Sequence, residues 1–242
     1  MSTIFPKWTN GLPFHMVGGG LTTLAAVVGG VWYYFTPAYW EVGYMPKQPG
    51  GGFNHQIHAG KLGMDCRYCH SHVEESAEAN IPHVAVCNGC HADNKLQKFT
   101  NPLHKSKTDF IREAYAADAP IEWQRIHKLP DYVRNFPHNA HLNAGVSCIS
   151  CHGNIARMPV VWQHESLSMS WCLDCHRNPE QNLVPRKGDT LADGSKVYEN
   201  MMTRLFDVEA MRENPQAMKD QGAKLYEQRK IAAPENCGAC HY

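Results

Sequence analysis

Five times along the chain two cysteines stand three apart with a histidine directly after the second. The sets are Cys66, Cys69 and His70; Cys87, Cys90 and His91; Cys148, Cys151 and His152; Cys172, Cys175 and His176; and Cys237, Cys240 and His241. The spacing has a chemical reason. Two thiols three residues apart can each form a thioether to one edge of a porphyrin. The next residue then lies beneath the ring, where an imidazole reaches the iron as proximal ligand. The five motifs consume all ten cysteines. Paired cysteines alone would also suit zinc knuckles or disulfides. With 15 histidines in 242 residues, however, chance does not place one after every pair. The pattern predicts five covalently bound haem c groups.

An iron held from one side needs a group on the other. In Phe53-x-His55-x-x-His58 the two histidines are three apart, so on a helical turn they project from one face. They cannot share the single remaining position of one iron. The expected arrangement gives His55 to the haem on Cys66 and Cys69 and sends His58 to a neighbouring haem. His138 and His141, in Phe136-x-His138-x-x-His141, repeat the plan. For the fifth distal position the sequence offers His127, within Trp123–Pro130. Met169 is the rival, a thioether that would raise the potential of its haem; beside Trp171 it also reads as a filler of core gaps. His72, His83, His104 and His164 read as solvated or hydrogen-bonded near haem propionates. No motif ends in lysine, and there are enough histidines to cap every iron. The chemistry expected is therefore electron transfer, not reaction of a substrate at an open iron. No catalytic acid, base or nucleophile stands out, and the redox chemistry belongs to the cofactor.

The elements that position these groups begin with a membrane segment. No Asp, Glu, Lys or Arg lies between Lys7 and Glu41. Within that gap Met16–Phe35 is predominantly apolar and long enough to span a bilayer as one helix. Trp32, Tyr33, Tyr34, Phe35, Tyr39 and Trp40 crowd one end like an interfacial belt. A signal peptide would have a shorter apolar region, a more positive lead and a small-x-small cleavage site. The reading is an uncleaved single-pass anchor in the inner membrane. Lys7 alone hardly orients it, so orientation follows from haem attachment on the outer, periplasmic face. Gly18, Gly19, Gly20, Gly29 and Gly30 suit close packing on other membrane helices, and His15 reads as an interfacial polar residue.

The expected division is a cytoplasmic tail over 1–15, the anchor and belt over 16–40, and a pentahaem domain over 41–242. That domain divides into a haem pair at 53–91, a connector at 92–135, a second pair at 136–176 and a C-terminal haem segment at 177–242. Phe53-x-His55-x-x-His58 with Ala59-Gly60 precedes Cys66 as Phe136-x-His138-x-x-His141 with Ala144-Gly145 precedes Cys148, which reads as an internal duplication. Thr108–Ala119 reads as a helix with Thr108 as N-cap and a stop at Pro120. Pro215–Lys230 reads as another helix, and Asn178–Asn200 as surface turns. Formal net charge is zero, with no basic patch for nucleic acid. About 40 residues per macrocycle is too little chain for an ordinary core, so the haems are expected to be the core. The fold class is mainly α with much irregular loop: one N-terminal transmembrane helix, then a multihaem cytochrome c domain with class III/c7-like duplicated haem pairs.

The runs FNHQIHAG to DCRYCH, RIHKLPDYV, HNAHLNAGVSCISCH and LSMSWCLDCHRNP resemble the pentahaem subunit of alternative complex III, a bacterial quinol-oxidising membrane assembly. The resemblance covers nearly the whole chain and is weak between 181 and 230. It implies a haem wire beside an iron–sulfur subunit, polytopic quinone-binding subunits and a mono-haem cytochrome c. Electrons from quinol would pass to a periplasmic carrier in a respiratory or photosynthetic chain. Two other functions fit the motifs: a self-contained anchored quinol dehydrogenase of the NapC/NrfH type, and a multihaem reductase.

Overall fold

The computed structural model describes residues 5–35, 41–93, 95, 102–133, 136–191 and 193–241. Tyr39 and Trp40 of the aromatic belt lie outside the described residues, as do the side chains of Phe35 and His104. Helix α1 spans Leu12–Phe35, after a 3-10 turn at Lys7–Gly11. It starts earlier than the apolar run from Met16, because Pro13 is tolerated in a first turn, where an N–H would have no partner anyway. Thr22 and Thr23 donate their hydroxyls to the carbonyls of Gly18 and Gly19, at 2.8 and 2.9 Å. Such back-bonding satisfies a hydroxyl within the helix itself, as an apolar surrounding requires. The side chains of α1 are exposed along its length, including Leu21, Leu24, Val27 and Val28. It is long and apolar enough to cross a membrane, a test that a signal sequence also passes.

The rest is mainly helical, in short pieces joined by irregular chain. After a π-turn at Gln56–Lys61 come α2 (Cys66–Cys69), α3 (Val84–His91), α4 (Pro102–Lys107) and α5 (Asp109–Ala116). Then follow α6 (His138–Ala144), α7 (Ile149–His152), α8 (Met169–Arg177), α9 (Leu205–Arg212) and α10 (Pro215–Arg229). Among the described residues, β-structure is limited to isolated bridges, Val146 with Leu183 and Thr190 with Lys196.

Three expectations need correction. Helix α5 ends at Ala116, short of Ala119, because Asp118 turns left-handed at φ 49° and the Ala119 N–H returns to the Ala114 carbonyl. Thr108 holds the N-cap position, yet its hydroxyl donates to Lys105 O at 3.0 Å, closing the preceding helix. Asn178–Asn200 is not all surface. Leu183 and Val184 are 1% and 0% exposed, and Pro179 and Asp189 are buried. Nor does the polypeptide lack a core of its own. Leu142, Ile149, Ala156, Val184, Met202, Leu205, Val208 and Met218 form one apolar cluster under α6, α7, α9 and α10. The estimate by length per macrocycle spread the chain evenly, whereas the fold concentrates its apolar side chains in the C-terminal half.

That core positions the motifs. Gly145 ends α6 in the left-handed region, φ 96°, where a Cβ would collide with the Arg229 guanidinium. Arg229 donates to the carbonyls of Ala144 and Val184 and pairs with Asp189; both side chains of the pair are about nine-tenths buried. The C-terminal helix is thereby tied to the end of the helix that carries His138 and His141. The two halves interlock reciprocally. Gln56 N–H bonds Met158 O at 3.2 Å, and Asn139 N–H bonds Ser76 O at 3.2 Å. In each contact, the loop beyond one half's first motif lies on the other half's paired-histidine turn. Gly60 permits the approach, since a Cβ there would meet Ala156 O.

Candidate functional site: paired imidazoles at the five motifs

The two Phe-x-His-x-x-His segments build the same local geometry. Phe53 stacks on His58 with ring centres 4.3 Å apart and meets His55 edge-on at 4.6 Å. Phe136 stacks on His141 at 4.6 Å and meets His138 edge-on at 4.9 Å. His58 then faces His91 with ring centres 6.0 Å apart, and His141 faces His176 at 6.1 Å. Each pair joins a distal candidate to the histidine of a motif further along its own half. Two metal–imidazole bonds of ~2 Å in line require a separation of this size. In each half, the second histidine of the turn therefore faces the histidine of the second motif.

The hydrogen bonds decide which ring nitrogen is offered. Nδ1 of His58 lies 2.8 Å from Asn54 O, and Nδ1 of His141 lies 2.9 Å from Pro137 O, each one helical turn back. His70 Nδ1 bonds Asn80 O at 2.6 Å, His138 Nδ1 bonds Ala77 O at 2.7 Å, His176 Nδ1 bonds Pro234 O at 2.5 Å and His241 Nδ1 bonds Tyr132 O at 3.0 Å. A carbonyl only accepts, so Nδ1 carries the proton and the lone pair of each neutral ring is on Nε2. A metal-ligating histidine is normally fixed in this manner by its other nitrogen. Six of the predicted ligands are therefore oriented and in the right tautomer.

His55, His70, His127, His138 and His152 lie close enough to act electrostatically on one another near the junction of the halves. His127 meets His152 edge-on with ring centres 4.2 Å apart. Among the described residues, His55 Nδ1 and His127 Nε2 are buried without a hydrogen-bond partner. Burial lowers His55 to about 4, helped by His70, His58 and His127, and lowers His127 to about 4, helped by His164. Burial also lowers His141 and takes His152 well below its usual value. These rings stay neutral at neutral pH, the form that coordinates a metal. Met169 opens α8 and is 68% exposed, so it does not fill a core gap beside Trp171. His83 accepts the Ala85 N–H at the start of α3, and His164 packs against Gly153.

All ten thiols are free of disulfides. The Cys66 and Cys148 side chains lie beside each other, so the first motifs of the two halves meet, and this proximity together with burial pushes Cys148 up. Burial raises Cys151 to about 12, with Cys175 and Cys172 adding to it. Burial raises Cys172 to about 11, with Cys240 and Cys175 adding. Arg177 pairs with Glu235 at 2.8 Å, docking the C-terminal segment on α8. The motifs lie near one another in space. The cysteine pairs and the facing imidazoles of His58 with His91 and of His141 with His176 fit covalently bound porphyrins.

Sequence reasoning missed the carbonyls that set the tautomers. Asn54 O and Pro137 O follow from helical spacing, but Asn80, Ala77, Pro234 and Tyr132 carry no signal, since any residue has a carbonyl. It also missed Arg212, which donates to Ser150 Oγ and Asn182 Oδ1 between two motifs.

No protein-family model matches the chain. It is similar to the multihaem cytochrome c subunit of a menaquinone reductase from Nitratidesulfovibrio vulgaris (strain Hildenborough). The two are 27% identical over 175 residues, which is 64% of this chain and 78% of the relative.

Proposed function

We propose that the chain is a membrane-anchored c-type cytochrome that carries five haems and serves as an electron-transfer subunit of a quinone-linked membrane oxidoreductase. The observation that carries the reading is the matched pair of imidazole sets, His58 with His91 and His141 with His176, at 6.0 and 6.1 Å. Similarity to a multihaem subunit of a menaquinone reductase supports the quinone link. When bound, haem would supply one-electron redox chemistry.

The chain's own residues hold and orient. The paired cysteines at each motif would bind the porphyrin, and His70, His91, His152, His176 and His241 would supply the proximal nitrogen. His55, His58, His138 and His141, with His127 or Met169 as the fifth, would supply the distal ligands. Carbonyls fix Nδ1 of six of these rings, so Nε2 is the nitrogen each of them would offer. Phe53 and Phe136 stack on the bridging imidazoles and set their planes. Helix α1 anchors the domain with the motifs on the periplasmic side. An iron–sulfur subunit, polytopic quinone-binding subunits and a mono-haem cytochrome c, as in alternative complex III, are the partners this assignment calls for.

Electron direction has two readings. The alternative complex III resemblance implies quinol oxidation, whereas the relative belongs to a menaquinone reductase. Extraction in mild detergent should bring the chain out with membrane partners and with five haem masses on the mature polypeptide. A chain with the mass of its amino acids alone would remove the proposal. Reduction of the purified complex by menaquinol supports the oxidising direction. Failure with menaquinol, together with reduction by a low-potential periplasmic donor, supports the other.

A further inference from the structure

Arg212, the last residue of α9, bridges two motifs that are adjacent in space. Its Nη2 donates to Ser150 Oγ, inside Cys148–His152, at 2.9 Å, and to Asn182 Oδ1 at 3.0 Å. Asn182 in turn donates through Nδ2 to the sulfur of Cys175, inside Cys172–His176, at 3.4 Å. A guanidinium is therefore held between two attachment sites, with one hydrogen bond of the same network ending on a motif's cysteine sulfur. The position is partly buried, so solvent screens the charge incompletely. Glu165 is the carboxylate that acts on Arg212, and the Cys151 and Cys175 thiols are its other titratable neighbours. The nearby Glu209 is engaged by Arg157 and Asn154.

We propose that Arg212 tunes the wire: its fixed positive charge raises the reduction potentials of the two haems attached at Cys148/Cys151 and at Cys172/Cys175 relative to the other three. The inference rests on the five-haem reading above. Reduction adds one negative charge to each centre, and a nearby cation stabilises the product over the reactant. Arginine suits the task because it stays charged at every accessible pH and its planar fork can hold two acceptors at once. A raised pair in the middle of the chain of motifs is a place where electrons rest, and it separates the site at Cys87/Cys90 from the site at Cys237/Cys240.

The test is a potentiometric titration of the mature full-length protein, followed by visible and electron paramagnetic resonance spectra. Arg212→Gln keeps a donor for Ser150 but removes the charge. Two of the five components should move to lower potential, each losing about tenfold in its reduced-to-oxidised ratio at fixed solution potential. That fold-change is ~59 mV for a one-electron couple. Arg212→Lys should stay near the wild-type titration, and Glu165→Gln should move the same two components upwards. An unmoved titration of Arg212→Gln overturns the proposal, as does an equal shift of all five components or a Lys variant that shifts as far as Gln. If Arg212→Gln does not mature, Glu165→Gln decides, and no upward shift in that variant overturns it. A chain that carries no haem sinks the functional reading instead, and its mass shows which has failed.

Discussion

A histidine in this chain is informative through its second nitrogen. Six of the candidates, distal and proximal, bond Nδ1 to a backbone carbonyl, which leaves Nε2 as the only lone pair. His58→Ala should therefore convert one haem to a high-spin spectrum and leave the rest low-spin, and His141→Ala should do the same to a different haem. An unchanged spectrum in either variant removes that ligand. Asp65 shows the same economy at a motif's entrance. It caps α2 through Arg67 N–H at 2.8 Å, pairs with the Arg67 guanidinium and accepts from Thr203 at 2.9 Å. The Arg67 side chain above all, with its backbone N–H and Thr203, holds the Asp65 carboxyl down at about 2 against the opposing effect of burial. A folded value below the unfolded one means that this stability is present above about pH 4 and is lost as pH falls towards 2. Acid unfolding of Asp65→Asn should thus depend less on pH across that interval than that of the parent. At neutral pH, Asp65→Ala should cost about 1 kcal/mol as a lost cap, read from a denaturant midpoint.

Elements here are too short to be stable alone, and they depend on the contacts that close them. Four-residue helices such as α2 and α7 fall far below the length at which isolated helices persist. They are held by their neighbours and, on the reading above, by thioethers. The tie from Arg229 to Asp189, Ala144 and Val184 has the largest expected effect. Asp189→Asn removes one partner of a buried ion pair, and such losses cost roughly 3–5 kcal/mol. Thermal unfolding of the mature protein should fall accordingly, whereas a change within 0.5 kcal/mol would show that the pair is not needed. Gly60→Ala should weaken the interlock of the halves, because the added methyl meets Ala156 O. It should cost about 1–3 kcal/mol as an overpacked contact, with the two haems nearest Cys66 and Cys148 most disturbed spectrally.

On the scale of the whole molecule, the polypeptide divides into a bare apolar helix and a domain that keeps its own core. Helix α1 has exposed side chains throughout its length. A chain in which a cleavable export signal replaces residues 1–45 should therefore leave the membrane fraction and keep the absorption spectrum of the full protein. If it stays with membranes, a partner or a second surface holds it. The domain itself is asymmetric. Its apolar cluster gathers α6, α7, α9 and α10, so the second half is built around side chains while the first half leans on it through Gln56–Met158 and Asn139–Ser76. The raised pair proposed around Arg212 falls within that better-packed half.

The chemistry was legible from residue order because attachment is local: thiols and a ligand at fixed offsets read as haem wherever the chain later goes. The paired turns were legible for the same reason, since Phe53 to His58 and Phe136 to His141 are set by one helical turn each. Ranges of the long helices could be read to within a few residues, and the misreading at Asp118 turned on a single left-handed residue. Only the tertiary structure decided the rest. It sent His58 to His91, seated His127 against His152, buried Leu183 and Val184, and brought Arg212 beside Ser150, 62 residues away in sequence. Those outcomes come from packing across long sequence separations. A carbonyl that fixes a tautomer, or a guanidinium that lands beside a sulfur, leaves no trace in the neighbours it has along the chain.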